Sequence, residues 1–270
     1  MRIAIVGGDA RMPHAAAALE RAGHKVSTSA EGGTPLSPLS LADAEGILLP
    51  HPLTRDGVHL NAPTSPIAVP LDALFAMLPK GVPLFCGLAD GSMQMRAEGH
   101  PLLPYAEDDG YLARVAALTA EGALPYLLGR GGTALADTPC LILGAGRLAG
   151  ALLTLLCGLQ TPTAVLARRT LPPLFGNICP RPLDTLPDLI SAYPVVINTI
   201  PACVLTPAVL ARCTRGTLIL ELSAVAGAVD AEACKRLGLD LMVLPALPGR
   251  YAPKSAGEAI ATAVLKLLTP

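Results

Sequence analysis

Short, mostly apolar runs alternate along the chain with longer stretches of helical periodicity. Runs of about four to six residues are followed by a glycine or polar turn, and then by apolar residues three and four positions apart. This alternation predicts parallel strands connected by helices. The predicted strands span 2–6, 24–28, 46–49, 82–86, 140–143, 163–167, 195–198, 217–222 and 240–244; an Ala-rich helix ends near Gly23, and further helices span 71–78, 109–128, 147–159, 229–237 and 255–268.

The pattern divides the chain into two similar halves. A glycine-rich break at 129–132 interrupts the helical pattern, and each half begins with an apolar strand and a glycine turn. We therefore predict two doubly wound parallel-sheet α/β domains, which the length of 270 residues can accommodate. Residues 1–131 form the predicted substrate or catalytic domain, and residues 132–270 the predicted Rossmann dinucleotide-binding domain. The final helix, 255–268, is a candidate for packing back on the first domain.

The second glycine turn matches the G-x-G-x-x-A pattern of dinucleotide-binding folds. Gly144 permits a tight turn, Gly146 allows the backbone to approach a pyrophosphate, and Ala149 allows the helix to pack closely on the strand. Arg147 and Leu148 lie in the first turn of the helix, where free N–H groups face the anion. All five positions are predicted cofactor-binding residues.

The first glycine turn is a poorer cofactor site, and the residues after strand 163–167 indicate which cofactor is bound. Asp9 follows the first turn and would repel a pyrophosphate. NAD-specific folds place an acid about twenty residues after the glycines. Here Arg168 and Arg169 occupy that place, and two guanidinium groups suit a 2′-phosphate. The predicted cofactor is NADP.

Polar and proline-containing turns follow two further strands of the second half. Asn198, Thr199, Ile200 and Pro201 follow one strand, and Ser223 follows the next. The carboxyl ends of strands in a doubly wound sheet face the ligand crevice. We therefore predict that these residues flank the nicotinamide side of the cofactor.

The first half contains the predicted substrate-binding residues. The long loop 50–70 carries Arg55 and Asn61, Arg11 lies beside the first glycine turn, and Lys254 lies near the chain end. Arginine and lysine can bind a carboxylated substrate. Each of these cations, taken alone, is more often an ordinary surface residue.

The distribution of histidine restricts the possible chemistry. All five histidines lie within residues 14–100, so the cofactor half cannot supply the histidine acid–base of a 2-hydroxy-acid dehydrogenase. A reaction in which hydride loss creates an aromatic ring needs less help from a strong base. The catalytic residue is left unassigned.

Composition excludes several other classes. A net charge of −1 disfavours binding to nucleic acid or anionic lipid. Residues 189–211 carry no charge, but prolines interrupt them, so we expect a buried strand and loop rather than a membrane span. The seven cysteines form no C-x-x-C pair, and the N-terminus lacks a signal-peptide pattern. We expect a cytoplasmic protein without a metal site.

Several segments together resemble one family over nearly the whole chain. The sequence IVGGDAR at 5–11, EG at 121–122, the glycine fingerprint, NTIP at 198–201, and especially LPG at 247–249 with APKSAG at 252–257 are similar to the A-subunit family of dipicolinate synthase. The segments 130–134 and 222–230 depart from the family pattern. We therefore expect the interdomain hinge and the turn near the nicotinamide to differ from those of the family.

The resemblance implies an oxidoreductase of spore-forming bacteria. With a second, flavoprotein-like subunit it would convert dihydrodipicolinate and NADP to dipicolinate and NADPH during sporulation, in the mother-cell cytoplasm. Arg11 and Lys254 would then bind the two substrate carboxylates. The resemblance assigns no base.

Two alternatives remain open from the residues alone. The chain could be a non-catalytic NADP-binding or regulatory subunit of that complex, or a reductase of a related small carboxylic acid. A homo-oligomer is also left open.

Overall fold

The computed structural model describes residues 1–30, 35–129, 132–168, 178–223 and 227–269. By its internal contacts the chain forms two compact units. Unit 1 comprises Met1–Val115 and Pro248–Pro270, and unit 2 comprises Ala116–Leu247. These limits fall within a long helix and in the segment before the last helix, whereas the limits 1–131 and 132–270 follow the glycine-rich break. The predicted domain limits stay a prediction.

Unit 1 contains a parallel sheet with the strand order β2-β1-β3-β4-β5. The direction of the order reverses between β1 and β3, where doubly wound sheets form a crevice at their carboxyl ends. The strands are β1 (Arg2–Val6), β2 (Lys25–Ser29), β3 (Gly46–Leu48), β4 (Leu84–Cys86) and β5 (Leu102–Pro104). The helices are α1 (Met12–Arg21), α2 (Pro38–Leu41), α3 (Leu71–Met77), α4 (Gly91–Arg96) and the beginning of α5 (Asp109–Leu128).

The last helix of the chain, α11 (Pro253–Leu268), belongs to unit 1 and packs against α1. The buried face of α1 consists of Met12, Ala15, Ala16 and Leu19, and Ile260 and Val264 of α11 lie in the same apolar cluster. Gly257 permits the close approach, because a Cβ atom there would overlap the Arg11 carbonyl oxygen and would lie 2.7 Å from the His14 Cβ. Small residues thus fix the contact between the two helices.

Unit 2 contains a parallel sheet with the order β11-β10-β9-β6-β7-β8, the arrangement of dinucleotide-binding folds. The strands are β6 (Cys140–Leu143), β7 (Thr163–Ala167), β8 (Arg181–Pro182), β9 (Val195–Asn198), β10 (Leu218–Glu221) and β11 (Asp240–Val243). The helices are α6 (Arg147–Gly158), α7 (Leu186–Leu189), α8 (Pro207–Leu210) and α9 (Ala231–Leu237). Because β6, β9 and β10 are buried along their whole length, they are continuous apolar runs with few polar positions.

The predicted fold class is confirmed, since both sheets are parallel and their strands are connected by helices. The sequence patterns did not predict the short strands β5 and β8, each of which ends in a proline. They also placed a loop where α10 (Leu247–Tyr251) lies. A proline is tolerated in the first turn of a helix, so Pro248 does not prevent α10. Within the described ranges, no helix is both long and apolar enough to cross a membrane.

Candidate functional site

The second glycine turn lies at the point where the strand order of unit 2 reverses, between β6 and β9. Gly144 has a φ of +107°, and a Cβ atom on it would overlap the Thr199 hydroxyl oxygen. That hydroxyl donates a hydrogen bond to the Leu143 carbonyl at 2.7 Å, so it is firmly held. Only glycine fits this turn without strain.

The space in front of this turn is open. Gly146 is the N-cap of α6, no described side chain caps the helix, and a Cβ atom on Gly146 would have no neighbour within 4 Å. Ala149 is completely buried against the sheet, and Arg147 is exposed. The N–H groups of Leu148 and Ala149, in the first turn of α6, therefore lack a side-chain cap among the described residues and can face an anion such as a pyrophosphate.

A cavity of about 570 Å³ surrounds the turn, within the usual range of small-ligand sites. It brings together most of the predicted cofactor-binding residues that lie in described ranges. Its lining consists of Gly144, Ala145, Gly146, Arg147, Leu148, Ala167, Arg168, Thr199, Ile200 and Pro201. The open cradle and the uncapped helix fit a dinucleotide.

Arg168 follows β7 and is exposed. It lines both this cavity and a neighbouring one, also of about 570 Å³, whose walls are mainly apolar and include Asp184. Arg169, the second predicted arginine, lies outside the described residues. A cation and an acid thus border the neighbouring cavity.

Asn198 and Ser223 belong to a buried polar network that also includes Glu221, a residue the sequence analysis did not single out. The Asn198 Nδ2 donates to Glu221 Oε2 at 2.7 Å, and the Ser223 N–H donates to Glu221 Oε1 at 2.7 Å. Asn198 and Glu221 are 0% and 3% exposed. The sequence feature that marks Glu221 is a carboxylate at the end of the apolar strand β10, because a buried charge requires polar partners.

This network positions the loop that borders the cofactor cradle. The Asn198 amide also donates to the Ile200 carbonyl at 3.2 Å, and its oxygen accepts from the Ile200 N–H at 3.1 Å. Asn198 therefore shapes the turn rather than presenting free polar atoms. The Ser223 hydroxyl oxygen is buried and has no hydrogen-bond partner in the described part of the chain.

The first glycine turn is filled by the protein itself. Gly7 has a φ of +69°, and a Cβ atom on it would lie 2.7 Å from Leu60. The Gly8 N–H donates to the Asn61 carbonyl at 2.8 Å. The loop after β3 thus covers the place that a pyrophosphate occupies in a dinucleotide fold.

Asp9 and Arg11, beside this turn, form a two-pronged ion pair. The Arg11 Nε and Nη2 donate to the two carboxylate oxygens at 2.7 and 2.9 Å, and the Arg11 and Asp9 side chains are only 11% and 18% exposed. Burial alone acts to raise the pKa of Asp9, but the hydrogen bonds and charge of Arg11 outweigh it and lower that pKa. Burial opposes the charge of Arg11 too, yet Asp9 raises its pKa. Both groups are therefore ionised.

Arg11 also connects the ends of the two strands at the switch point of unit 1. Its Nη2 donates to the carbonyl of His51, which follows β3, at 2.7 Å. A guanidinium carries five N–H groups. The Nε hydrogen and both Nη2 hydrogens are used in these contacts, and no described residue accepts from Nη1. Those two N–H groups can bind a carboxylate.

The structure brings two more predicted substrate residues to the same crevice. Asn61 is buried, donates to the Pro52 carbonyl at 3.0 Å and accepts from the Arg55 Nε at 3.0 Å. The charge of Arg55 contributes to the low pKa of Asp9. Lys254 is exposed in the first turn of α11, and no hydrogen bond connects it to any described residue. Arg11, Arg55 and Asn61 are thus clustered, whereas Lys254 contacts none of them by hydrogen bond.

The distinctive chain end lies against the first glycine turn. A Cβ atom on Gly249 would lie 3.4 Å from the Arg11 Cδ and Nε atoms, and Gly257 touches the Arg11 backbone. The segments LPG and APKSAG are therefore in contact with the residue that we expect to bind substrate. Their small residues allow the arginine to pack closely.

Among the described residues, the cysteines and other potential metal ligands form no competing site. Burial raises the pKa of Cys86 to about 11 and that of Cys140 to about 12, so both remain thiols. In the described ranges, no group of three or more histidine, cysteine, aspartate or glutamate residues could hold a metal ion.

Comparisons with known proteins connect this geometry with a family. The family model of the N-terminal domain of the dipicolinate synthase A-subunit matches residues 2–103. The dipicolinate synthase A-subunit of Bacillus subtilis (strain 168) is 36% identical over 92 residues, which span 34% of this chain and 31% of that protein. The match thus covers less than a third of the curated relative.

Two solved structures share the fold. The dipicolinate synthase A-subunit from Bacillus halodurans has a TM-score of 0.84 at 22% identity, and the match covers 100% of this chain and 98% of that one. A D-2-hydroxyisocaproate dehydrogenase has a TM-score of 0.60 at 11% identity, covering 99% and 96%. The chain therefore has a dehydrogenase-like fold. The predicted resemblance to the A-subunit family of dipicolinate synthase is confirmed, and the family model assigns it to residues 2–103.

Proposed function

We propose that the chain is an NADP-dependent oxidoreductase subunit that converts dihydrodipicolinate to dipicolinate during sporulation, in the mother-cell cytoplasm and together with a flavoprotein-like second subunit. One observation carries the proposal. An open glycine cradle lies at the switch point of a sheet with dinucleotide-binding order, and Arg168 borders the same cavity. The family resemblance implies the substrate.

The cofactor half would hold the dinucleotide through its backbone and an arginine pair. The N–H groups at the start of α6 would face the pyrophosphate, and Arg168, with Arg169, would pair with the 2′-phosphate. When bound, the oxidised nicotinamide ring accepts a hydride. The substrate loses that hydride and one proton, and its ring becomes aromatic, so NADPH, dipicolinate and a proton are the products.

The other unit supplies the carboxylate-binding groups. Arg11 is held by Asp9 and presents its Nη1 hydrogens, and Arg55 adds a second guanidinium close to it. Because the Asp9–Arg11 pair is neutral overall, Arg55 provides the net positive charge that a dicarboxylate requires. Lys254 is the candidate for the second carboxylate, as the family resemblance implies.

Cofactor choice is tested by binding titrations of Arg168→Ala and Asp184→Asn. We expect Arg168→Ala to weaken NADPH binding by about 10- to 100-fold and to leave NADH almost unchanged, because a charge-assisted hydrogen bond contributes about 1.5–3 kcal/mol. Arg212→Ala, an exposed arginine paired at 3.8 Å with Asp188, is the matched control. Equal losses of NADPH and NADH binding in Arg168→Ala would contradict the preference for NADP. The same preference would be contradicted if Asp184→Asn weakened NADH binding alone.

The reaction itself is tested by absorbance of NADPH with freshly generated dihydrodipicolinate, with and without the second subunit. NADP-dependent turnover in either case supports the proposal. The absence of histidine from the cofactor half favours a second candidate, a non-catalytic NADP-binding subunit. Cofactor binding without turnover, together with complex activity that survives substitution of Arg11 and Lys254, would establish that second function instead.

A further inference from the structure

One imidazole at the switch-point crevice of unit 1 is left free. His51 follows β3, and no residue in the described ranges hydrogen-bonds to either of its ring nitrogens. Its backbone is fixed, because the His51 carbonyl accepts from Arg11 Nη2 at 2.7 Å. The ring lies on the backbone of Gly87, after β4, where any Cβ atom would overlap it. The imidazole is therefore held in place, while its two ring nitrogens have no hydrogen-bond partner among the described residues.

The surroundings keep this imidazole uncharged. Burial, and then the charge of Arg11, lower the pKa of His51 below its ordinary value of 6.5. The other titratable groups act on the same guanidinium: Asp9 is paired with it, and Tyr105 and Tyr111 interact with its charge. A neutral imidazole near pH 7 can accept a proton.

The position of the guanidinium places a bound carboxylate close to His51. Arg11 contacts the His51 carbonyl through one terminal nitrogen and has two N–H groups on the other that no described residue accepts from. A ring carboxylate bound to Nη1 thus lies on the guanidinium that already touches the His51 backbone. The charge of the guanidinium also acts on the His51 imidazole, so a carboxylated ring bound to Nη1 would lie near that imidazole.

We propose that His51 is the base that removes the ring proton as dihydrodipicolinate is oxidised, an inference that rests on the proposed function. One C–H bond of the substrate breaks and its electron pair leaves as hydride to the oxidised dinucleotide. A second C–H bond breaks, its proton passes to a ring nitrogen of His51, and its electron pair forms the new ring double bond. The nearby Arg11 charge disfavours the imidazolium, so the proton then passes to water.

The test compares His51→Gln and His51→Ala with a matched histidine, His100→Gln. His100 precedes β5 at the opposite edge of the sheet, where its Nδ1 lies 2.9 Å from the Val82 carbonyl. We expect kcat to fall about 100-fold or more in both His51 variants with KM little changed, as is usual for loss of a general base. Added imidazole should restore part of the activity of His51→Ala, and His100→Gln should behave like the wild type.

The pH profile provides a second readout. In the wild type the acid limb of kcat/KM should lie below pH 6.5, because His51 must be unprotonated, and this limb should disappear in His51→Gln. Turnover of His51→Gln at the wild-type rate with an unchanged acid limb would overturn the role of His51 and leave the proposed function intact. A lack of wild-type turnover with the second subunit present would overturn the proposed function, and the role of His51 with it.

Discussion

The two glycine turns occupy the same place in their sheets but use the space before them in opposite ways. Gly7 and Gly144 each follow the first strand of a parallel sheet, and both have positive φ angles. Leu60 and Met12 fill the space beside the first turn, whereas the second turn opens on a cavity of about 570 Å³. A shared backbone geometry therefore does not determine what a turn binds.

The difference comes from the residues that follow the glycines. After the first turn, Asp9 is ionised and is held by Arg11, so negative charge occupies the place of an incoming phosphate. After the second turn, Gly146 carries no side chain, and the helix start remains uncapped by described side chains. One turn presents an arginine to a carboxylate, and the other presents N–H groups to a phosphate.

The largest expected effect comes from Gly144→Ala. A non-glycine residue at this φ costs about 1–3 kcal/mol, and displacement of the Thr199 hydroxyl adds to it. We expect a total loss of about 2–4 kcal/mol in the free energy of unfolding of unit 2 and at least tenfold weaker NADPH binding. Urea denaturation and calorimetric titration measure the two effects.

Gly150→Ala in α6 is the control, because a Cβ atom there would meet no neighbour within 4 Å. Alanine within a helix should stabilise unit 2 by about 0.5–1 kcal/mol. Gly8→Ala provides the contrast, since it should destabilise unit 1 without altering NADPH affinity. Wild-type NADPH affinity in Gly144→Ala would remove the distinction between the two turns.

The next effect concerns the ion pair of the first turn. Asp9→Asn or Arg11→Ala leaves one largely buried charge unpaired, and we expect each to lower the free energy of unfolding of unit 1 by about 2–3 kcal/mol. The double variant Asp9→Asn/Arg11→Met should lose less than the sum of the two. Hydrogen exchange of peptides from α1 and β6 assigns the loss to a unit.

Arg21→Ala is the matched control on the same helix. Its ion pair with Glu258 has side-chain exposures of 62% and 40%, so its loss should change stability by less than about 1 kcal/mol. If Asp9→Asn lowered the free energy of unfolding no more than Arg21→Ala does, the Asp9–Arg11 pair would not be what stabilises the first glycine turn.

A structural feature can be predicted from the sequence when it depends on residues that are neighbours along the chain. Strands and glycine turns depend on neighbouring residues, so the apolar runs before Gly7 and Gly144 predicted both sheets. The contact between Arg11 and the His51 carbonyl joins residues 40 positions apart, and the proximity of Gly249 to Arg11 joins the two ends of the chain. Such contacts follow from strand order and helix packing, which no local pattern encodes.

Glu221 illustrates the same limit within the cofactor unit. Its position at the end of an apolar strand is a local sign of a buried carboxylate that needs partners, but Asn198, its main partner, lies 23 residues earlier on the neighbouring strand. The parallel pairing of β9 with β10 sets Glu221 directly beside Asn198. The role of Asn198 as a residue that shapes the turn therefore becomes visible only with the register of the sheet.

The smallest expected effect comes from Glu221→Gln. The carboxylate accepts from the Asn198 Nδ2 and from the Ser223 N–H, each at 2.7 Å, whereas an amide offers one oxygen and must turn its NH₂ group toward the other donor. We expect a loss of about 1–2 kcal/mol in the free energy of unfolding of unit 2. NADPH binding should weaken modestly, because Asn198 then holds the turn after β9, with Thr199 and Ile200, less firmly.

Glu232→Gln, an exposed position on α9, is the control and should be neutral. The first turn must also be unaffected, so hydrogen exchange in α1 should match that of the wild type. A change in hydrogen exchange confined to the loop after β9 would show that the turn at Gly144 depends on the buried carboxylate of Glu221, one strand away. The turn at Gly7 depends instead on Asp9, which directly follows it. Equal exchange in both loops would instead mean that Glu221 stabilises only the core of the sheet.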